Sequence, residues 1–214
     1  MGRTLLLVAI GVVVLVAAYR LLRGNRQVAL TKRALREVGK GRFRVEPYDL
    51  REVPPACVEV ADELVAAGFA VMGAIVTRLH RLPDSFTILL LDADAKTYAR
   101  ATALERGAGT WGTTSYLLDG RRLDTTMSNL AIADPQVIAQ LLPGATVAEV
   151  VAAHRKRLLE QQARNNPAQP IDPERLPDLV RQGWVDDARG IEAHGVTRTS
   201  DDPDPTGTLP TWGP

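Results

Sequence analysis

A chain of 214 residues holds one domain or two small ones, and its 26 basic and 25 acidic residues are unevenly spread along it. Residues 1–46 carry ten Lys or Arg against two Asp or Glu, residues 47–162 carry 11 against 14, and residues 163–214 carry five against nine. The single cysteine, Cys57, excludes an intrachain disulfide and a cysteine-built zinc or iron–sulfur site, and the near-neutral total excludes a uniformly basic nucleic-acid binder.

The first element is the apolar run Leu5–Ala18, LLLVAIGVVVLVAA, inside an uncharged stretch from Thr4 through Tyr19. As a helix, Thr4–Leu22 would reach about 28 Å, enough to cross a bilayer if Arg20 snorkels to the headgroups. Residues 1–23 are therefore predicted to be a single-pass transmembrane anchor. A cleaved signal peptide is the competing reading, with Val16-Ala17-Ala18 as its small-residue site. Against it, Arg3 is the only charge ahead of the run, whereas Arg20, Arg23 and Arg26 crowd the far side and oppose translocation. The same asymmetry keeps the body of the chain on the cytoplasmic side. Arg outnumbers Lys 22 to 4, a bias that suggests GC-rich coding and hence a bacterial inner membrane. If the charge rule misleads here, the domain faces the envelope instead.

Residues 24–42 form a basic juxtamembrane linker. From Arg20 to Arg44 there are nine basic residues and one acid, Glu37. With Val28, Leu30, Ala34, Leu35 and Val38 interleaved, this stretch has the pattern of a cationic amphipathic helix ended by Gly39 and Gly41. Membrane lipid is the partner that such a flank implies.

Residues 43–162 are predicted to be the folded α+β domain. Phe43–Glu46 alternates as a short strand, and Pro54-Pro55 opens a helix whose inner stripe is Cys57, Ala61, Leu64 and Ala67, widened by Val58 and Val65. Phe69–Leu79 and Phe86–Asp92 read as antiparallel neighbours, Thr97–Glu105 as a third strand, and Thr114–Leu118 with Arg121–Thr125 as a hairpin about Asp119-Gly120. Asp134-Pro135 starts a short helical stretch to Leu142. The capping box Thr146-Val147-Ala148-Glu149 starts a clearer helix with Val147, Val150, Val151, His154 and Leu158 on one face. The expected architecture is an α/β sandwich: an antiparallel meander of about five strands with two or three helices on one face. Turns this short leave no room for crossover helices and disfavour a doubly wound nucleotide-binding sheet.

The sequence has no P-loop, dinucleotide-binding, nucleophile-elbow, zincin or EF-hand motif, and nothing in it implies a cofactor or metal. His80, His154 and His194 lie on different elements with no metal-ligand spacing. His154 is the candidate general base, because it sits among apolar residues on a helix facing the sheet and would need Asp92, Asp119 or Asp124 as a partner. A core-boundary histidine is the structural alternative. Asp92 and Asp94 fall in a turn where acids ordinarily accept from backbone amides. Thr113, Thr114, Thr125, Thr126, Ser128 and Asn129 cluster about the hairpin, either lining a small-ligand pocket or simply reflecting β propensity.

Residues 163–214 hold eight of the 14 prolines and are predicted to be mostly disordered and acidic. Within them Leu176, Leu179, Val180 and Trp184 describe a short amphipathic helix suited to docking on a protein partner or back on its own domain. These observations describe an anchored binding or scaffold module. The alternative is a membrane-tethered hydrolase or transferase that uses His154 with an Asp of the sheet.

Overall fold

Ser85–Leu91 is buried at every position, whereas a strand packed on one side alone would alternate. Such a strand belongs at the centre of a sheet covered on both faces. The computed structural model, which describes residues 33, 34, 36–105, 109–128 and 130–198, contains this sheet.

Strand β1 (Phe43–Tyr48), helix α1 (Pro55–Ala66) and strands β2 (Phe69–Leu79), β3 (Ser85–Asp92), β4 (Tyr98–Leu104), β5 (Thr110–Tyr116) and β6 (Arg122–Thr126) follow in chain order, the six strands pairing antiparallel in that sequence. A short strand β7 (Leu130–Ile132) leads to β8 (Val137–Leu141), which joins β6 in parallel. Helices α2 (Val147–Ala163) and α3 (Leu176–His194) come next, and β9 (Val196–Arg198) pairs with β7. The fold class is α+β, as expected. The main sheet has seven strands, however, rather than about five, and it is mixed rather than an antiparallel meander. Two strands make the difference: β1, read as a separate short strand, joins the edge of the meander beside β2, and Val137-Ile138-Ala139-Gln140-Leu141, expected as part of a helix, is a strand. Five residues are too few for periodicity to separate a strand from a helical turn, and the free edge of β6 supplies the pairing that decides it.

Local chemistry explains most element boundaries. Pro55 sits in the first turn of α1, where its missing N–H costs no hydrogen bond, and Gly68 follows the helix at φ 98°. Cys57, Val60, Ala61 and Leu64 face inward, but Val58 and Val65 are 38% and 46% exposed and do not widen the stripe. Thr146 Oγ1 accepts from the Glu149 amide at 3.3 Å while Glu149 Oε2 accepts from the Thr146 amide at 2.7 Å, so the expected capping box is formed. At the hairpin, the Gly120 amide donates to the Leu117 carbonyl at 2.9 Å and the Leu117 amide donates to Arg121 O at 2.8 Å. With positive φ at Gly120 and not at Asp119, the loop is the three-residue Leu118-Asp119-Gly120 rather than a two-residue turn.

A bulge in β2 sets which side chains meet the helices. The register moves from Val71↔Leu90 to Gly73↔Leu89, leaving Met72 as the extra residue. One added residue reverses the parity of the strand, so Phe69 before it and Ala74 and Val76 after it lie on the same face. They join Val53, Cys57, Leu64, Ile88, Leu90, Val147 and Val151 in the largest core, between the sheet and the pair α1–α2.

The opposite face has its own core, and here the tail departs most from expectation. Residues 163–198, expected to be largely without structure, lead from α2 around the end of the sheet: the Leu118 amide donates to Pro167 O at 2.9 Å, Gln169 N to Tyr116 O at 2.8 Å and Ile171 N to Ala95 O at 2.6 Å. Helix α3 then lies on the second face, where Leu176 and Val180 join Ile75, Leu89, Leu91, Tyr98 and Ile171, while Ala188 packs with Val38 and Leu79. The helices thus cover both faces, not one. Full burial of a side chain such as Leu176 contributes roughly 1.5–3 kcal/mol, ample reason for a proline-rich segment to order. Its prolines serve this path, since Pro173 and Pro177 sit in first turns of helices. Residues 199–214 lie outside the described residues, as do the predicted anchor and Arg20, Arg23 and Arg26. Among the described residues no helix is long and apolar enough to cross a membrane.

Candidate functional site

Strands β5 and β6 carry polar side chains on both faces, and their alternation sorts them into two separate groups. Ser115 and Thr125 face α2, while Thr114, Arg122 and Asp124 face α3.

On the α2 face, His154 is 1% exposed and both ring nitrogens have partners. Nε2 lies 3.0 Å from Ser115 Oγ and Nδ1 lies 3.0 Å from Thr125 Oγ1. Ser115 Oγ is in turn 3.0 Å from Thr97 Oγ1, and Arg157 Nη1 donates to Thr125 Oγ1 at 3.4 Å. Burial, aided by the nearby Arg157 charge and only partly opposed by Asp124, pushes the His154 pKa down to about 4. The ring is therefore neutral at pH 7, with one nitrogen donating and one accepting. Arg157 donates to Thr125 Oγ1, which keeps a second lone pair and its own proton for Nδ1, so that either ring tautomer has a hydroxyl partner at both nitrogens. Arg157 also donates to Asp124 O at 3.0 Å and Ile138 O at 3.1 Å, tying α2 to the parallel pair β6–β8.

The carboxylates proposed as partners of His154 are committed elsewhere. Asp124, one residue from Thr125, points through the other face, where it accepts from Thr114 Oγ1 at 2.7 Å and from Arg122 Nε at 2.9 Å. Asp119 accepts from Arg121 and Asn166 in the hairpin loop. Asp92 Oδ1 accepts from the amides of Lys96 at 2.8 Å and Thr97 at 2.9 Å, the turn-forming role expected of it. The structure thus surrounds His154 with hydroxyls.

Above His154 opens a cleft of about 470 Å³. It is lined by Phe69, Leu158 and Leu159, by Asp94 and Lys96 of the β3–β4 turn and by the exposed Arg155, with the buried Thr113 and His154 also in its lining. The size is that of a small-molecule site, and the lining combines apolar surface with both signs of charge. Of the hydroxyl cluster read from the sequence, Thr113 lines the cleft, Thr125 holds His154, and Thr114 faces the opposite side; Asn129 lies outside the described residues.

The α3 face holds a buried ionic network that spacing did not announce. Arg122 donates through Nε to Asp124 and through Nη2 to Asp187 on α3 at 2.5 Å, both pairs largely shielded from water. Burial works against the Arg122 charge, but Asp124 and Asp187 outweigh it and hold the guanidinium protonated more firmly than usual. One signal was present in the sequence: Arg122 and Asp124 are two apart in a strand, hence side by side on one face.

The other sequence candidates fall into place. Leu176 and Val180 are buried, with Leu179 and Trp184 partly buried against the same core, so this helix face is occupied by the protein's own sheet. His80 and His194 are exposed. The Cys57 thiol, donating to Phe86 O at 3.4 Å, is pushed up to about 11 by burial and acts as a small apolar group. Among the described residues no group of three His, Cys, Asp or Glu could hold a metal ion. Compared with known protein families, curated proteins and solved structures, the chain matches none.

Proposed function

We propose that the chain is a membrane-tethered binding module of a bacterial inner membrane, with its α+β domain on the cytoplasmic side and its ligand site in the cleft above His154. The observation that carries the binding reading is the cleft itself, which has small-molecule size and is lined by apolar side chains such as Phe69 and Leu158 together with Asp94 and Lys96. The ligand that fits such walls is a small molecule with an apolar body and a charged or zwitterionic end. The tether rests on the run Leu5–Ala18 and the Arg-rich flank behind it.

One contact favours the catalytic alternative. Ser115 Oγ lies 3.0 Å from His154 Nε2, the spacing of a nucleophile and its base. Ser115 is 0% exposed, though, and Thr125 rather than a carboxylate occupies Nδ1, so no acid is hydrogen-bonded to the ring to orient it or hold an imidazolium. Binding is therefore the better supported function.

Ligand-observed NMR on the full chain, with a panel of aromatic and aliphatic amino acids and their decarboxylated and deaminated analogues as probes, tests the site. We expect members that bind the wild type to lose binding in Leu158→Trp, which fills the cleft, while thermal melting stays unchanged. Absence of binding across the panel, or equal binding to the variant, would contradict the assignment.

A further inference from the structure

Where the chain enters the sheet, β1 and β2 place basic side chains opposite one another. The register pairs Phe43 with Leu79 and Arg44 with Arg78, and the His80 amide donates to Arg42 O at 3.3 Å, extending the pairing by one step. By strand alternation Arg42, Arg44, Arg78 and His80 share one face, and Arg81 follows in the turn at φ 59°. Together they line an open groove of about 770 Å³. Phe43 and Leu79 point the other way, into the small core with Val38 and Ala188.

Arginines directly opposed across an antiparallel pair repel one another, so this arrangement is costly unless something negative sits over it. The protein supplies only part of that charge. Glu46 and Asp84 lie 3.5 and 3.8 Å from Arg78, and Glu37 lies 3.9 Å from Arg42. Among the described residues Arg44 and Arg81 have no acidic partner. The groove also continues a charge run, because the preceding stretch from Arg20 to Lys40 holds seven basic residues and one acid.

We infer that this groove seats the phosphate-bearing headgroups of anionic phospholipids, making a second membrane contact that fixes the orientation of the domain on the bilayer. The inference rests on the tethered reading given above, because the groove lies where the chain arrives from the apolar run. Guanidinium groups suit the task, since each presents several donors to phosphate oxygens and remains charged throughout the physiological range. Nucleic acid offers the same phosphates, but of the rings lining the groove Phe43 packs into the core with Leu79 and only His80 is left for a base to stack on, whereas the tether brings a bilayer to the groove.

The test uses the full chain reconstituted into phosphatidylcholine vesicles with or without phosphatidylglycerol. Trypsin cleavage after Arg81 is followed relative to cleavage after Arg189, whose side chain is 72% exposed on α3. Cleavage after Arg81 is expected to slow about tenfold when phosphatidylglycerol is present, and to recover in the double variant Arg42→Gln/Arg44→Gln or at high salt. The two replaced side chains are exposed, so folding is retained, and flotation of the variant with phosphatidylcholine vesicles should match the wild type. Equal cleavage in both lipids, or undiminished slowing in the double variant, overturns the groove. Comparable slowing by single-stranded RNA without phosphatidylglycerol overturns it in favour of nucleic acid. Failure of the wild type to float with phosphatidylcholine vesicles sinks the tether alone; the same cleavage comparison with phosphatidylglycerol vesicles added from outside then decides the groove.

Discussion

His154 Nδ1 lies 3.0 Å from Thr125 Oγ1, while the neighbouring Asp124 carboxylate emerges on the opposite face of the sheet. A shift of one residue in β6 would exchange the two and give His154 an acid in place of a hydroxyl. The register of a single strand thus separates a structural histidine from a catalytic arrangement.

The first consequence concerns acid stability. His154 ionises near 6.5 when unfolded and near 4 when folded, so the unfolded chain binds the extra proton between these values. Stability from this residue is complete above about pH 6.5 and is lost as the pH falls towards 4, by on the order of 3 kcal/mol. Chemical denaturation of wild type and His154→Gln at several pH values should show the difference between them narrowing across this window. A constant difference would contradict the assignment.

The buried pair Arg122–Asp187 holds α3 against the sheet. Removing one partner strands the other in a dry site, so Asp187→Leu should cost about 3–5 kcal/mol, and the double change Arg122→Met/Asp187→Leu should cost less than that single change. Trp184, packed beside both of the cores that α3 helps to form, reports the event. Its fluorescence should shift to the red in Asp187→Leu at denaturant concentrations that leave the wild type unchanged.

Thr146→Ala removes the side-chain arm of the capping box at the start of α2, leaving the Thr146 amide on Glu149, and should cost about 1 kcal/mol in a urea melt. Because α2 carries His154 and one wall of the cleft, the same variant should also weaken any ligand bound there.

Cys57 is 0% exposed with its thiol pushed up to about 11, so it should resist a disulfide reagent at pH 8 until the domain unfolds. Rapid labelling of the native protein would show that α1 opens locally.

Much of the fold was legible because its signals are local. The stripe Cys57, Ala61, Leu64, the capping box at Thr146 and the run Phe86–Asp92 each show in a short window of sequence, and each appears in the structure. What was hidden depends on partners distant in the chain. Val137–Leu141 is a strand because β6 has a free edge, the parity of β2 turns on one extra residue at Met72, and residues 163–198 order because Leu176 and Val180 find Leu89 and Leu91 waiting. The candidate site was half legible for the same reason. Helical spacing placed His154 towards the sheet and the Asp119-Gly120 turn announced the β5–β6 hairpin, but which face of that hairpin, and so which hydroxyls, would meet α2 depends on packing that no local pattern encodes.

The central claim is that His154 is a neutral support beneath a binding cleft rather than a proton-transfer group. Nitrogen NMR of the imidazole in uniformly 15N-labelled full chain, followed from pH 8 down to pH 5, tests it most directly. We expect His154 to remain neutral across the whole range. A His154 midpoint near 6.5 or above would contradict the account and restore the general-base reading.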